Sequence, residues 1–338
     1  MAKTRRGQSR ATISQVAASA GVSPATVSRV VNGRFRGDDE TRARVETAVE
    51  TLDYRPDPLA RSLAVGATNT IGFVAPDITN PAFQGILSSL NREAGRAGYR
   101  LLIADSYEDR ALERGLALET RHRCDCVVLC APRMPEDDLV EIIEELSPVV
   151  IVNRTSPKIA APCVLVDYGA GIRGLAEHLH GLGHRRFIYL AGPQTSASNQ
   201  LRLRGLDEFL AAFDDVELVR TPTGVTCEHG EAAADAVVAS GATAVLGYND
   251  LVAIGVMDGL RRRGVRVPQD VSVAGFDDIA FGRYSVPRLT TAAVPLGALG
   301  RETWRRLAAQ VQHREPEPNV IFEPKLVIRE STASARSS

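Results

Sequence analysis

No stretch of the 338-residue sequence approaches the ~20 consecutive apolar residues that a membrane-crossing helix needs, which argues against a membrane protein. The basic opening, MAKTRRGQSRATIS, is followed by no apolar run of signal-peptide length, so export is not expected and a cytoplasmic location is. Cysteine is scarce and odd in number, with five residues. Cys124, Cys126 and Cys130 crowd one segment, RCDCVVLCAP, that reads as a buried strand, so a framework of disulfides is not expected. Zinc at His122, Cys124 and Cys126 is disfavoured too, because alternating strand geometry sends neighbours apart and no second CxxC or HxxxH follows. The sequence also lacks a Walker loop, a nucleophile elbow and a metal triad. His178, His180 and His184 read as surface residues around a helix end. Neither an enzyme nor a bound cofactor or metal is expected.

What is present is an ordinary soluble composition, 44% hydrophobic and 24% charged, on a chain long enough for a small module and a two-lobed body. Charge is segregated along it. Lys3, Arg5, Arg6, Arg10, Arg29, Arg34 and Arg36 stand in residues 1–36 with no Asp or Glu. That head carries +7, and since the formal total is -1 the remainder carries -8. A cationic head on an acidic body suggests a polyanion partner for the head alone. A solvated tail is the competing account of Arg5 and Arg6.

The segment ATISQVAASAGVSPATVSRVVNG holds two short helical patterns. Thr12 and Gln15 form a capping box before the stripe Ile13, Val16, Ala17 and Ala20, and Gly21 ends that helix. Ser23 caps the second, with Pro24 at its first position, Val27, Val30 and Val31 inward, and Asn32-Gly33 as the stop. A third helix, from about Asp39 to Asp53 with Asp38 as cap, offers Val45, Ala48, Val49 and Leu52 to close a three-helix core. After Tyr54, Asp57 and Pro58 open a short helix through Ala64, too short to persist alone.

From Ile71 the pattern alternates apolar strands with helices: IGFVAP, YRLLIAD, CVVLCAP, VVIVN, FIYLAG, VELVR, TAVLGYND and VSVAGFDD. This is the signature of parallel sheets flanked by helices. Ile71 to Val127 and Phe187 to Val245 repeat the same order over nearly equal lengths, so two similar lobes are expected. Crossings are expected near residues 160, 291 and 322.

The second helix has the properties of a recognition helix, with a rigid first turn, aliphatic residues inward, and Pro24, Ala25, Thr26, Ser28, Arg29 and Asn32 outward. Arg29 can donate a bidentate pair to guanine, Ala25 can touch a thymine methyl, and Thr26 or Ser28 can bind phosphate or a base edge. An ordinary surface helical hairpin is the competing account.

The runs TISQVAASAGVSPATVSRVVNG and ETRARVETAVETLDYRPDPLARSLA resemble the lactose/galactose repressor (LacI/GalR) family of bacterial transcriptional regulators. So do NPAF, GHRRFIYLAGP, RLRG, AVLGYNDLVAIGVMDGLRRRGVRVPQDVSVAGFDD and LTTAAVP, which extend the likeness over almost the whole chain. The resemblance implies an all-α helix-turn-helix domain followed by an α/β, two-lobed sensor similar to periplasmic sugar-binding proteins. The implied division is a basic disordered tail (1–10), the DNA-binding domain (11–56), a hinge helix and linker (57–68) and an effector-binding and dimerisation domain (69–338). Within the last, one lobe is expected over about 69–162 and 292–322, the other over 163–291 and 323–332.

Residue by residue, the resemblance gives Pro24 and Ala25 operator discrimination, with Thr26, Ser28 and Arg29 completing the DNA face. Thr12, Ser23, Asn32, Arg34 and Tyr54 join the expected DNA contacts. Leu63 matches the hinge leucine that wedges into the minor groove and kinks the duplex; packing on the body is the alternative for it. The implied effector set is Asp77, Asn80 and Phe83, then Asn153 and Arg154, then Ser196, Ser198 and Arg202, and finally Leu246, Asn249 and Asp277. Two local accounts compete with ligand contact: Arg202 pairing with Asp277, and Asn249 or Asp250 capping the following helix. Gly37 and Asp57-Pro58 depart from the family pattern.

The function so implied is a homodimer on a pseudo-palindromic double-stranded DNA operator, most simply a repressor, controlled by a small molecule of the mono- or oligosaccharide class. Whether the ligand releases DNA or tightens it depends on which lobe arrangement it prefers, and release by a sugar is the commoner family outcome. No apolar heptad tail follows PKLVIREST, so a tetramer tethered by a coiled coil is not expected. A solute-binding carrier would share the two lobes but has no use for residues 12–64.

Overall fold

Helix boundaries near the N-terminus follow the side chains that satisfy their loose backbone ends. Helix α1, Ile13–Ala20, opens with a reciprocal cap: the Thr12 hydroxyl accepts from the Gln15 N–H, and the Thr12 N–H donates to Gln15 Oε1 at 2.7 Å. Gly21 ends it at φ 64, a left-handed conformation that a side chain would strain. Helix α2, Pro24–Val31, is capped by the Ser23 hydroxyl accepting from the Thr26 N–H at 3.2 Å. Helix α3, Asp39–Thr51, starts at Asp38, whose carboxylate accepts from the Thr41 N–H and is held below its ordinary pKa by that bond.

The computed structural model describes residues 11–55, 67–315 and 317–336, and the chain divides into two units, Met1–Thr68 and Asn69–Ser338. In the first, Val16, Val27 and Val45 are wholly buried among Ala17, Ala20 and Ala48. Each such valine contributes about 1.5–3 kcal/mol by leaving water. The tail 1–10 and the hinge residues Asp57, Pro58 and Leu63 lie outside the described residues.

The second unit holds two sheets with a shared winding. In the first, β1 (Thr70–Ala75), β2 (Arg100–Asp105), β3 (Cys126–Cys130), β4 (Val149–Val152) and β5 (Cys163–Val166) lie parallel in the order β2-β1-β3-β4-β5, with β11 (Val320–Phe322) beside β5. The second repeats it as β7 (Glu217–Pro222), β6 (Arg186–Ala191), β8 (Ala244–Gly247), β9 (Ser272–Asp277) and β10 (Thr290–Ala293), closed by the antiparallel β12 (Lys325–Val327). This 2-1-3-4-5 order places loops that can hold a ligand at the carboxyl ends of the strands.

Helices cover both sheets. On the first lie α4 (Pro81–Arg96), α5 (Arg110–Arg123), α6 (Glu136–Ile142) and α13 (Leu296–Val311); on the second lie α7 (Tyr168–Gly181), α8 (Ala197–Ala212), α9 (Cys227–Ala232), α10 (Ala234–Ser240) and α11 (Asp250–Arg262), with the short α12 (Ala280–Tyr284) after β9. Helices α7 and α8 meet at Gly169 and Gly205, so closely that a Cβ on Gly205 would stand 2.3 Å from the Gly169 carbonyl oxygen. That contact seats the helix carrying Arg202.

The lobe boundaries differ from those expected. Strand β5 belongs to the first sheet, so the first crossing follows Val166 rather than residue 162; β10 belongs whole to the second sheet, so the next follows Ala293 rather than 291. Strand β5, CVLV, is a four-residue buried run without alternation, and β10, TTAA, is half threonine, so neither is marked by its pattern. His184 is also corrected. It is buried, with Nδ1 on the Thr243 hydroxyl and Nε2 on the Ser272 hydroxyl and the Ala333 carbonyl, tying the C-terminal segment to the second lobe. Burial holds its pKa below the ordinary value.

Candidate nucleic-acid interface and ligand cavity

Helix α2 turns Val27 inward and leaves Pro24, Ala25 and Arg29 exposed, with Thr26 and Ser28 half-buried beside them. Arg29 lies along its own helix, donating from Nε to the Ala25 carbonyl at 3.3 Å and from Nη2 to the Thr26 hydroxyl at 3.5 Å. These are weak, exposed bonds that a guanine edge or phosphate can replace. Arg34 is exposed just beyond the helix. The remaining expected DNA contacts have local roles as well. Thr12 and Ser23 cap helices, Asn32 donates to the Ser28 carbonyl at 2.8 Å, and Tyr54 is packed against the three-helix core.

In the second unit a cavity lies at the carboxyl ends of both sheets. Asn80, after β1, caps α4 by accepting from the Ala82 N–H, and Phe83 follows on the same turn. Asn153, after β4, adopts φ 60 and is buried with its Oδ1 lacking any partner among the described residues. Such a backbone costs about 1–3 kcal/mol and persists only where its surroundings impose it. From the other lobe come Ser198 and Arg202 on α8, Asn249 after β8 and Asp277 at the end of β9.

Arg202 dominates the electrostatics. It is 1% exposed, and its guanidinium carbon stands 4.3 Å from the Tyr168 ring centre, 4.6 Å from Tyr248 and 4.1 Å from Phe276. The ring faces stabilise the cation, yet its Nε and Nη1 have no hydrogen-bond partner among the described residues. Asp277 feels its charge, but no ion pair joins the two among the described residues. Burial pushes the Asp277 carboxyl up to about 7, against the pull of Arg202. A charged donor and a carboxyl poised near neutrality, both facing one cavity, can divide the donors and acceptors of a polyhydroxylated ligand between them.

Asn249 lines the cavity and also caps α11, accepting from the Val252 N–H and donating to the Val225 carbonyl. Four members of the expected set lie elsewhere. Asp77 turns back to accept from the Thr79 N–H and hydroxyl. Arg154 donates to the carbonyls of Pro132 and Met134, holding the loop after β3 whose Ala131 does reach the cavity. Ser196 caps α8 beneath the wall. Leu246, wholly buried in the sheet register opposite Tyr189 and Ala274, belongs to the core. Tyr168, Tyr248 and Leu296 line the cavity unanticipated. Their shared signal is position, just past a strand's carboxyl end or at the opening of the next helix.

Residues 12–57 match the profile of bacterial regulatory proteins of the lacI family, and residues 176–332 match that of the periplasmic binding protein-like domain. The chain is 37% identical over 334 residues to the HTH-type transcriptional regulator GalR of Salmonella typhimurium (strain SL1344), covering 96% of each. It superposes on the lac repressor dimer bound to operator and the anti-inducer ONPF with a TM-score of 0.86 at 26% identity, covering 96% of this chain and all of that one. The complex of the transcriptional regulator CelR with cellobiose gives a TM-score of 0.70 at 28% identity, over 95% of this chain and all of that one.

Proposed function

The chain belongs to the lacI family of bacterial regulatory proteins, and from that premise we propose that it is a cytoplasmic, homodimeric repressor whose hold on a pseudo-palindromic operator is set by a small sugar in the cavity. It is a DNA-binding transcriptional regulator and not an enzyme. The observation that carries the sugar reading is Arg202, a buried cation on the cavity wall with N–H groups that have no partner among the described residues. An unmade hydrogen bond from a buried charge is costly, and a ligand hydroxyl supplies what is missing.

Exposed Pro24, Ala25 and Arg29 on α2, with Thr26 and Ser28 beside them, support operator reading by that helix, with two copies on successive half-sites of a two-fold duplex. Leu63 is assigned to the operator's centre, where an apolar wedge between base steps bends the duplex. A sugar that binds best when the lobes are closed around it shifts the lobe arrangement, and release from DNA follows if that arrangement separates the two heads.

The test is selection of bound fragments from the source genome by the full-length protein, followed by challenge of each complex with neutral sugars. Release by at least one sugar supports the reading. No preference for any genomic duplex over scrambled competitor, with and without sugars, removes it.

A further inference from the structure

Tyr248 is anchored more heavily than a wall residue requires. Its hydroxyl lies 3.0 Å from both the Ser196 and the Ser198 hydroxyls, which are themselves 2.9 Å apart, so three buried hydroxyls close a triangle. Its ring lies across Gly192 so tightly that a Cβ there would stand 2.5 Å from a ring carbon. Its other neighbour is Arg202, 4.6 Å from the ring centre. The side chain is thus fixed at its tip and on its face, and it comes from the end of β8, whereas Arg202, Ser196 and Ser198 come from the start of α8.

We infer that Tyr248 is the specificity-determining residue of this site: it positions Arg202 and closes the second-lobe wall, limiting the effector to a single sugar ring. The inference rests on the sugar reading above and deepens it. Arg202 has several rotatable bonds and no hydrogen bond from Nε or Nη1 to hold it. What keeps it aimed is the stack of rings, and Tyr248 is the member of that stack whose own orientation is locked by hydrogen bonds. The Tyr248 ring lines the cavity beside Ser198 and Arg202, so it stands on the second-lobe side where a second sugar ring would have to be placed.

The test is calorimetric titration of the full-length protein with D-galactose, D-glucose, D-ribose, D-xylose, lactose and cellobiose, repeated on Tyr248→Phe, Tyr248→Leu and Tyr248→Ala. The wild type is expected to bind a monosaccharide and neither disaccharide. Tyr248→Phe keeps the ring and its packing on Gly192 but loses the hydroxyl anchor, so it should keep the monosaccharide preference at somewhat lower affinity. Tyr248→Leu and Tyr248→Ala should weaken the monosaccharide about tenfold, as expected when a rotamer-rich side chain must be ordered on binding, and should admit a disaccharide. Should the alanine variant fail to fold, the leucine variant carries the same comparison. An unchanged ratio of monosaccharide to disaccharide affinity in the folded small variants, or a wild type that takes disaccharides as readily, overturns the inference alone. A wild type that binds none of the six removes the sugar reading, and this inference with it.

Discussion

The guanidinium of Arg202 stands 4.1 Å from the centre of the Phe276 ring, in the residue immediately before Asp277. A cation from α8 and a carboxyl from β9 therefore meet in one cavity, with an aromatic face rather than a salt bridge between their elements. Arg202→Lys keeps the charge but removes the planar group that stacks between rings. Sugar affinity is expected to fall at least about tenfold, since neither the stack nor the guanidinium donors survive. Titration of a folded variant with undiminished affinity would show that the guanidinium does not contact the ligand.

Asp277 sets a pH dependence of defined sign. Its carboxyl titrates near 3.8 in the unfolded chain and at about 7 when folded. The folded state thus holds more protons between those values, and the contribution of this group to stability is complete below about pH 4 and lost as pH rises through 7. Asp277→Asn, neutral throughout, should gain stability relative to the wild type between pH 5 and pH 8, by about 3 kcal/mol at most. Asp250, buried and pushed up in the same direction by burial and by the Asp277 charge, is relieved of that charge in the variant, so the two carboxyls contribute to the gain with the same sign. Urea melts at the two pH values decide it, and an equal difference at both would place Asp277 ionised in the folded protein.

For the DNA face, Arg29→Ala should cost about 1–3 kcal/mol on a specific operator. Fluorescence anisotropy at fixed salt on operator and random duplex separates the two roles open to this side chain. An equal loss on both means that Arg29 reads only phosphate.

Gly205→Ala tests the seat of Arg202 from behind. The added methyl would collide with the Gly169 carbonyl, and overpacking of this kind costs about 1–3 kcal/mol. Helices α7 and α8 would have to separate, so a lowered melting temperature should be accompanied by weaker sugar binding. Destabilisation with unchanged sugar affinity would show that the position of Arg202 is independent of this contact.

Much of the first unit could be read directly. Thr12 with Gln15, Ser23 with Pro24, and Asp38 are caps whose partners stand three residues away or fewer, and chain geometry alone brings them together. Eight strands were legible for a similar reason, as apolar runs between turn signals. Strands β5, CVLV beside a proline, and β10, half threonine, were not, and two lobe boundaries lie a few residues later than expected. His184 looked like a surface residue because nothing local announces that Thr243, Ser272 and Ala333 converge on it.

The cavity divides along the same line. Asn80, Asn153, Asn249 and Asp277 were reached through the family resemblance, and of these only Asn80 and Asn249 also carry a local signal, as caps of the helices that follow them. That Arg202 would be enclosed by Tyr168, Tyr248 and Phe276, from three different strand ends, was settled only when two sheets with the same winding were joined across a shared cavity. Leu246 and Tyr248 show the limit: two residues apart on one segment, one is sealed in the core and the other forms the wall, because the strand ends at Gly247 between them. Sequence determines what each short segment prefers, through interactions spanning a few residues. Which side chains share a site depends on contacts between segments far apart in the chain, and these exist only once the sheets have packed.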